Sequence, residues 1–188
     1  VAEALTGLGI GVNVTLNFAV AQQLAFSAAI EKGGKAKVSF LTEMNGRLDD
    51  PVADELAKLG VANAKELSSW TSATVVTRSY GTLFNPVSKG GRGFTKSALL
   101  IASLRGPWHV TRSITDGHRI YITIFPDKRE QFDSEPRELN PKAVWEEAPK
   151  EAVEQLKKSK IYNQAVEPDG LKPEEFDTFL PVKATLDA

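Results

Sequence analysis

Asn13 and Thr15 lie two residues apart in Val12-Asn13-Val14-Thr15-Leu16. In an extended strand a period of two sends both to one face and Val12, Val14 and Leu16 to the other. If the polar face lines the mouth of a barrel, the two side chains can orient a substrate hydroxyl or a catalytic water. Alternation alone fits equally an amphipathic strand with one face in solvent. Two arginines offer a second chemistry. Arg47, in Asn45-Gly46-Arg47-Leu48-Asp49-Asp50, and Arg105, in Ala102-Ser103-Leu104-Arg105-Gly106-Pro107, each follow a candidate strand. A guanidinium at such a strand end grips a phosphate through two parallel hydrogen bonds. Gly46 lets the backbone turn, and Ser103 adds a neutral donor. Together Arg47, Ser103 and Arg105 can hold a dianion. The competing reading is that Arg47 pairs with Asp49 or Asp50 on the surface and Arg105 is an unrelated surface arginine.

Other groups carry less. His109 follows Trp108 just beyond Arg105, close enough to serve as an acid or base, although a surface position on a short helix explains it as well. His118 falls in a turn. A lysine that acts as a nucleophile must be unprotonated, which requires desolvation at a strand's carboxyl end or a neighbouring cation. Lys35, Lys37, Lys89 and Lys96 all precede strands, at the wrong mouth of a barrel, and the remaining lysines lie on polar helices or loops. They are expected to be solvated. Gly90-Gly91-Arg92-Gly93 precedes a strand rather than joining a strand to a helix N-terminus, so it reads as a loop and not as a phosphate cradle.

The elements that must position these residues follow from pattern. Strands are predicted at Val12 to Leu16, Val38 to Leu41, Ala98 to Ser103 and Ile120 to Phe125. Phe18, Ala21, Leu24, Ala25 and Ala28 recur at helical spacing between the first two, and Gly33-Gly34 supplies the stop. Pro51 to Gly60 has proline at a helix start and glycine at its end. A helix is expected around Trp70 to Tyr80, a brief one over Trp108 to Ser113, and another opening at Pro126. From Val144 the character changes to a charged amphipathic helix, Trp145 to Lys160, with Trp145, Val153 and Leu156 as a packing face, and a terminal segment around Pro173 to Leu180. Strands alternating with helices indicate a parallel α/β architecture. Residues 1–143 are expected to hold the strand-helix units, and 144–188 to be packing helices of the same domain.

Composition sets the outer bounds. The 188 residues are 41% hydrophobic, enough for one sizeable core. Lys and Arg total 23 against 24 for Asp and Glu, so no global field draws nucleic acid or an anionic membrane. Without cysteine there is no disulfide, thiolate nucleophile or cysteine-ligated zinc, and two histidines leave little for a metal site. A reducing cytoplasm is compatible with this chain. No run approaches the ~20 apolar residues that span a bilayer.

Four motifs add a resemblance. Val12-Asn13-Val14-Thr15-Leu16, Gly46-Arg47-Leu48-Asp49-Asp50, Ala102-Ser103-Leu104-Arg105 and Ile122-Thr123-Ile124-Phe125-Pro126 occur in the order in which transaldolases carry the ends of their last four barrel strands. The chain resembles the C-terminal half of that (β/α)8 family, which implies an α/β fold of four parallel strands with extra C-terminal helices. On this resemblance Asn13 and Thr15 are catalytic, with Thr15 helping to position a water. Arg47, Ser103 and Arg105 bind the substrate phosphate, and Thr42 is a further substrate-binding residue. Where the family usually has Ser-Pro-Phe-Val before Gly-Arg, this chain has Thr42-Glu43-Met44-Asn45, which keeps a hydroxyl at Thr42 and adds a carboxylate near the anion site. The implied reaction is transfer of a dihydroxyacetone unit between sugar phosphates through a lysine imine, with no metal or organic cofactor. The family's Schiff-base lysine, proton-shuttling glutamate and first-strand aspartate belong to strands outside this sequence. The resemblance therefore implies a complementary N-terminal half, or self-association, and an isolated chain that is inactive. The alternative is a non-catalytic half-barrel that binds a partner or a sugar phosphate.

Overall fold

A computed structural model describes residues 1–187, so the last residue of the expected packing segment lies outside the described residues. Its centre is one parallel sheet of β1 (Asn13–Asn17), β2 (Ser39–Met44), β3 (Ser97–Ala102) and β4 (Ile120–Ile122), in that spatial order. Consecutive parallel neighbours require crossovers, and helices supply them. α1 (Ala2–Gly7) packs beside α2 (Val20–Gly33), which joins β1 to β2. α3 (Asn45–Lys58), α4 (Ala64–Ser68) and α5 (Thr71–Phe84) lie between β2 and β3, and α6 (Pro107–Thr111) lies between β3 and β4. α7 (Pro126–Asp133), α8 (Lys150–Leu156), α9 (Lys160–Val166) and α10 (Leu180–Leu186) follow. The sheet order is that of half a (β/α)8 barrel, as expected.

The pleat divides the two sides of the sheet. Leu41, Leu99 and Ile101 point to the helices and are fully buried in a core with Ile30, Val76 and Leu83. Residues of the opposite parity form the inner face. There Phe40 meets Tyr121 edge to face at 5.2 Å, and Tyr121 remains 52% exposed. Among the described residues β1 and β4 are the two edges of the sheet. A second core lies beneath α3, where Leu48, Val52 and Leu56 repeat every four residues and are fully buried against Phe18, Leu156, Tyr162 and Phe179. This cluster takes residues from both sides of position 143, so the C-terminal helices share the core of the strand-helix units.

Several expected boundaries move. Gly34 does stop α2, in the left-handed region at φ 73° with its N–H on the Ile30 carbonyl. α3, however, begins six residues before Pro51 and carries that proline inside it. The apolar repeat starting at Leu48 outweighs the missing proline N–H. α4 has no counterpart among the predicted elements. β2 runs on to Met44, whereas β4 stops at Ile122 and the chain reaches Pro126 as an extended segment. The predicted helix from Trp145 to Lys160 is broken. Ala143–Trp145 is a short 3-10 turn, Pro149 precedes α8, and Ser159 starts a new helix by accepting the Tyr162 N–H at 3.0 Å. Of the expected packing face, Leu156 is fully buried, while Trp145 lies against Tyr80 and stays 43% exposed. In the terminal segment, Pro173–Glu175 is a 3-10 turn and the helix proper is α10.

Candidate active site at the strand ends

β1 is irregular where its polar residues are. Asn13 pairs in register with Phe40 and Val14 with Leu41, but Asn17 pairs with Glu43, so β1 holds one residue more than β2 over that stretch. Leu16 takes up the slip with φ 59°. Asn13 and Thr15 project from the inner face and are exposed, as alternation predicts. The slip then turns Asn17 to the helix side with Glu43, where it is buried and donates to the Val14 carbonyl at 2.7 Å. Asn13 corrects one expectation. It is the first residue of β1 rather than a carboxyl-end residue, one layer deeper than the mouth. The buried Thr42 hydroxyl donates to its Oδ1 at 2.6 Å, which ties β1 to β2.

The second cluster is built where β3 ends. Ser103 stands in the left-handed region at φ 59°, an unfavourable conformation for a residue with a Cβ. The Gly46 N–H donates to the Ser103 carbonyl at 2.9 Å. A Cβ at position 46 would lie 2.3 Å from that oxygen and 2.6 Å from Arg105 Cγ, so glycine is needed for close approach. Gly46 is helical and does not make the expected turn. The Arg105 guanidinium donates through Nε and Nη2 to Asp50 Oδ2 at 3.0 and 2.8 Å, and through Nη1 to Ser103 Oγ at 3.2 Å. Asp50 thus holds one edge of the guanidinium and turns the other toward Ser103. Arg47 is exposed on the first turn of α3, at the end of the strand next to β3. The competing surface pairs do not form: Asp50 goes to Arg105, and Asp49 goes elsewhere.

Asp49 is buried and accepts the Ser72 N–H at 2.9 Å, the Ser72 hydroxyl at 3.1 Å and His109 Nε2 at 2.8 Å. Burial raises its pKa, while the His109 and Ser72 hydrogen bonds oppose the shift. His109 is 2% exposed, neither a surface residue nor an acid or base facing the mouth. Its Nδ1 accepts the Arg105 main-chain N–H at 3.0 Å, which leaves the ring proton on Nε2 to be donated to Asp49. His118 is exposed in its turn, with its carbonyl accepting the Tyr80 hydroxyl at 3.0 Å.

Glu43 also departs from expectation. It does not bring a carboxylate to the anion site, because its parity sends it to the helix side, where Gln23 of α2 donates to it at 2.6 Å. Burial pushes its pKa up to about 8, with the charge of Asp49 adding to the rise and the Gln23 bond opposing it. Asn17 Oδ1 and Gln23 Oε1 nearby are buried acceptors without partners, and a protonated Glu43 brings a donor among them. Every lysine is exposed or half-buried among the described residues, and none lies in a strand. A cleft of about 540 Å³ between α3, α9 and α10, lined by Pro51, Lys58, Ile161 and Phe179, lies wholly on the helix side.

A family profile described as Transaldolase/Fructose-6-phosphate aldolase matches residues 1–179. The chain belongs to the transaldolase/fructose-6-phosphate aldolase family. Membership carries a sugar-phosphate aldolase-type function in general, and the family's TIM-barrel architecture agrees with four consecutive parallel strands. A search of curated proteins finds no match. Among the described residues no helix is long and apolar enough to cross a membrane. Within this family frame, the residues to which sequence reasoning gave the wrong partners or place are Asp49, Asp50 and His109, which the structure groups around Arg105. The Gly46-Arg47-Leu48-Asp49-Asp50 run signalled the acids, but not which partners they take.

Proposed function

We propose that this chain is the phosphate- and water-holding half of a transaldolase-like enzyme, which moves a dihydroxyacetone unit between sugar phosphates through a lysine Schiff base supplied by a complementary N-terminal half. The observation that carries this reading is the Arg105 guanidinium, held against Ser103 at the end of β3 with Arg47 at the end of the adjacent strand. Arg47, Ser103 and Arg105 bind the phosphate. Thr15 positions the water that hydrolyses the imine, and Thr42 contacts the substrate while keeping Asn13 in place beside it. The amine attacks the ketose carbonyl and expels water; carbon–carbon cleavage releases an aldose, addition of the enzyme-bound three-carbon unit to a second aldose forms a new imine, and its hydrolysis releases the product ketose and the free amine. The edges of β1 and β4, free among the described residues, and the exposed Tyr121 support a covering half or a second copy. The cysteine-free composition is compatible with work in the cytoplasm.

The second reading, a non-catalytic half-barrel that binds a partner or a sugar phosphate, is favoured by the solvated state of the lysines. Incubation with fructose 6-phosphate and borohydride, followed by intact mass measurement, separates the two. The expected result is no adduct on the chain alone and a reduced sugar adduct once a family N-terminal half is added. An adduct on a lysine of this chain alone would overturn the assignment of the nucleophile. No adduct in either arm would favour the binding module.

A further inference from the structure

Arg105 is pinned at two levels. Its guanidinium is held by Asp50 at the surface, whereas its main chain is held from below by buried groups. Gly46 fixes the Ser103 carbonyl, His109 fixes the Arg105 amide at 3.0 Å, and Leu104 between them is 3% exposed. A left-handed serine persists only where its surroundings over-determine it. The two main-chain bonds flanking Leu104 do that. His109 depends in turn on Asp49, because a ring nitrogen that accepts from Arg105 must present its other nitrogen as a donor, and Asp49 is the acceptor there. Neither side chain reaches the mouth, with His109 2% and Asp49 5% exposed.

We propose that Asp49 and His109 are positioning residues of the anion site, which act through the Arg105 main chain to set how the Ser103–Arg105 strand end meets a phosphate. This rests on the anion reading proposed above. A purely structural role would make the His109–Asp49 bond matter for stability and leave affinity unaffected. Two substitutions separate the bonds. Asn at 109 places an amide oxygen near the position of Nδ1, keeping the acceptor for Arg105 and losing the donor to Asp49. Gln places an amide nitrogen near the position of Nε2, keeping the donor to Asp49 and losing the acceptor.

The test is titration of the purified chain with inorganic phosphate, with thermal melting of each variant alongside and Arg105→Ala as reference. His109→Gln is expected to melt no lower than His109→Asn yet bind phosphate roughly tenfold more weakly, as one lost alignment of a charged donor allows. Its Arg105 amide proton resonance should move. His109→Asn is expected to melt lower and to keep the parent's affinity within about threefold. If affinity follows stability, with Asn binding worse than Gln, the proposal is overturned; parent-like binding by His109→Gln overturns it too. Should His109→Asn not fold, the Gln titration decides. If Arg105→Ala binds phosphate as the parent does, this inference fails, and if Arg47→Ala does so as well the anion reading fails with it. A weakened Arg105→Ala beside an unaffected His109→Gln removes the inference alone.

Discussion

The two sides of this sheet use polar residues in opposite ways. On the inner side Asn13, Thr15, Arg47 and Arg105 are exposed, and only Asn13 and Arg105 are tied to neighbours in the ways described. On the helix side Asn17, Gln23, Glu43, Asp49 and His109 are buried, and hydrogen bonds among them and to Ser72 satisfy much of their polarity. A polar group in water is free to meet a ligand. A polar group out of water must be matched at once, and the matching fixes geometry. The buried side therefore serves as a template for the exposed one.

The sharpest way to test that division is to change the charge on the buried side. Glu43 is raised from 4.5 to about 8, so between those pH values the folded chain keeps a proton that the unfolded chain has lost. Stability should fall as pH rises through this window. Glu43→Gln keeps the neutral shape, so urea denaturation is expected to show near-equal stability at pH 5 and a variant more stable by roughly 2 to 5 kcal/mol at pH 9. Equal slopes in parent and variant would mean that Glu43 is ionised in the fold. A smaller effect is expected at the seam between the sides. Gly46→Ala drives a methyl into the Ser103 carbonyl, and should cost about 3 kcal/mol of stability by denaturant titration while also loosening phosphate binding.

On the exposed side the effects should appear in ligand binding and leave stability nearly unchanged. Arg105→Ala is expected to cost roughly 1.5 to 3 kcal/mol in calorimetric binding of a sugar phosphate to the complete assembly, with little change in melting temperature. Unchanged affinity in both this variant and Arg47→Ala would return the arginines to ordinary surface residues. The smallest effect belongs to Asp50. Its pair with Arg105 is solvent-exposed, so Asp50→Asn should barely change stability and should tighten phosphate binding about twofold by removing a competing charge.

How much of this was legible depended on whether the cause was local. The parallel direction of the strands followed from their alternation with helices and their order from the family resemblance, and Gly34 ends α2 as its sequence suggests. Pro51 misled because its punctuation was read without the Leu48, Val52 and Leu56 stripe that carries α3 through it. The direction of Asn17 was illegible because one inserted position in β1 reverses parity without a sequence mark. His109 was misread for another reason. Its acceptor lies 60 residues away on α3, and no local pattern announces a partner at that separation. The residues of the mouth were named from motif order, whereas the residues beneath them emerged only from packing.

Gly46 has a consequence for how such barrels can be recombined. Its amide holds the loop after β3, and its missing side chain makes room for a residue of that loop, so two adjacent strand-helix units interlock at one point. A chimera with its crossover between β2 and β3 would pair a socket from one parent with a plug from another. A crossover before β2 or after α6 keeps the two together, and that pair of units is the smallest cassette that could be transplanted with its arginine already aimed.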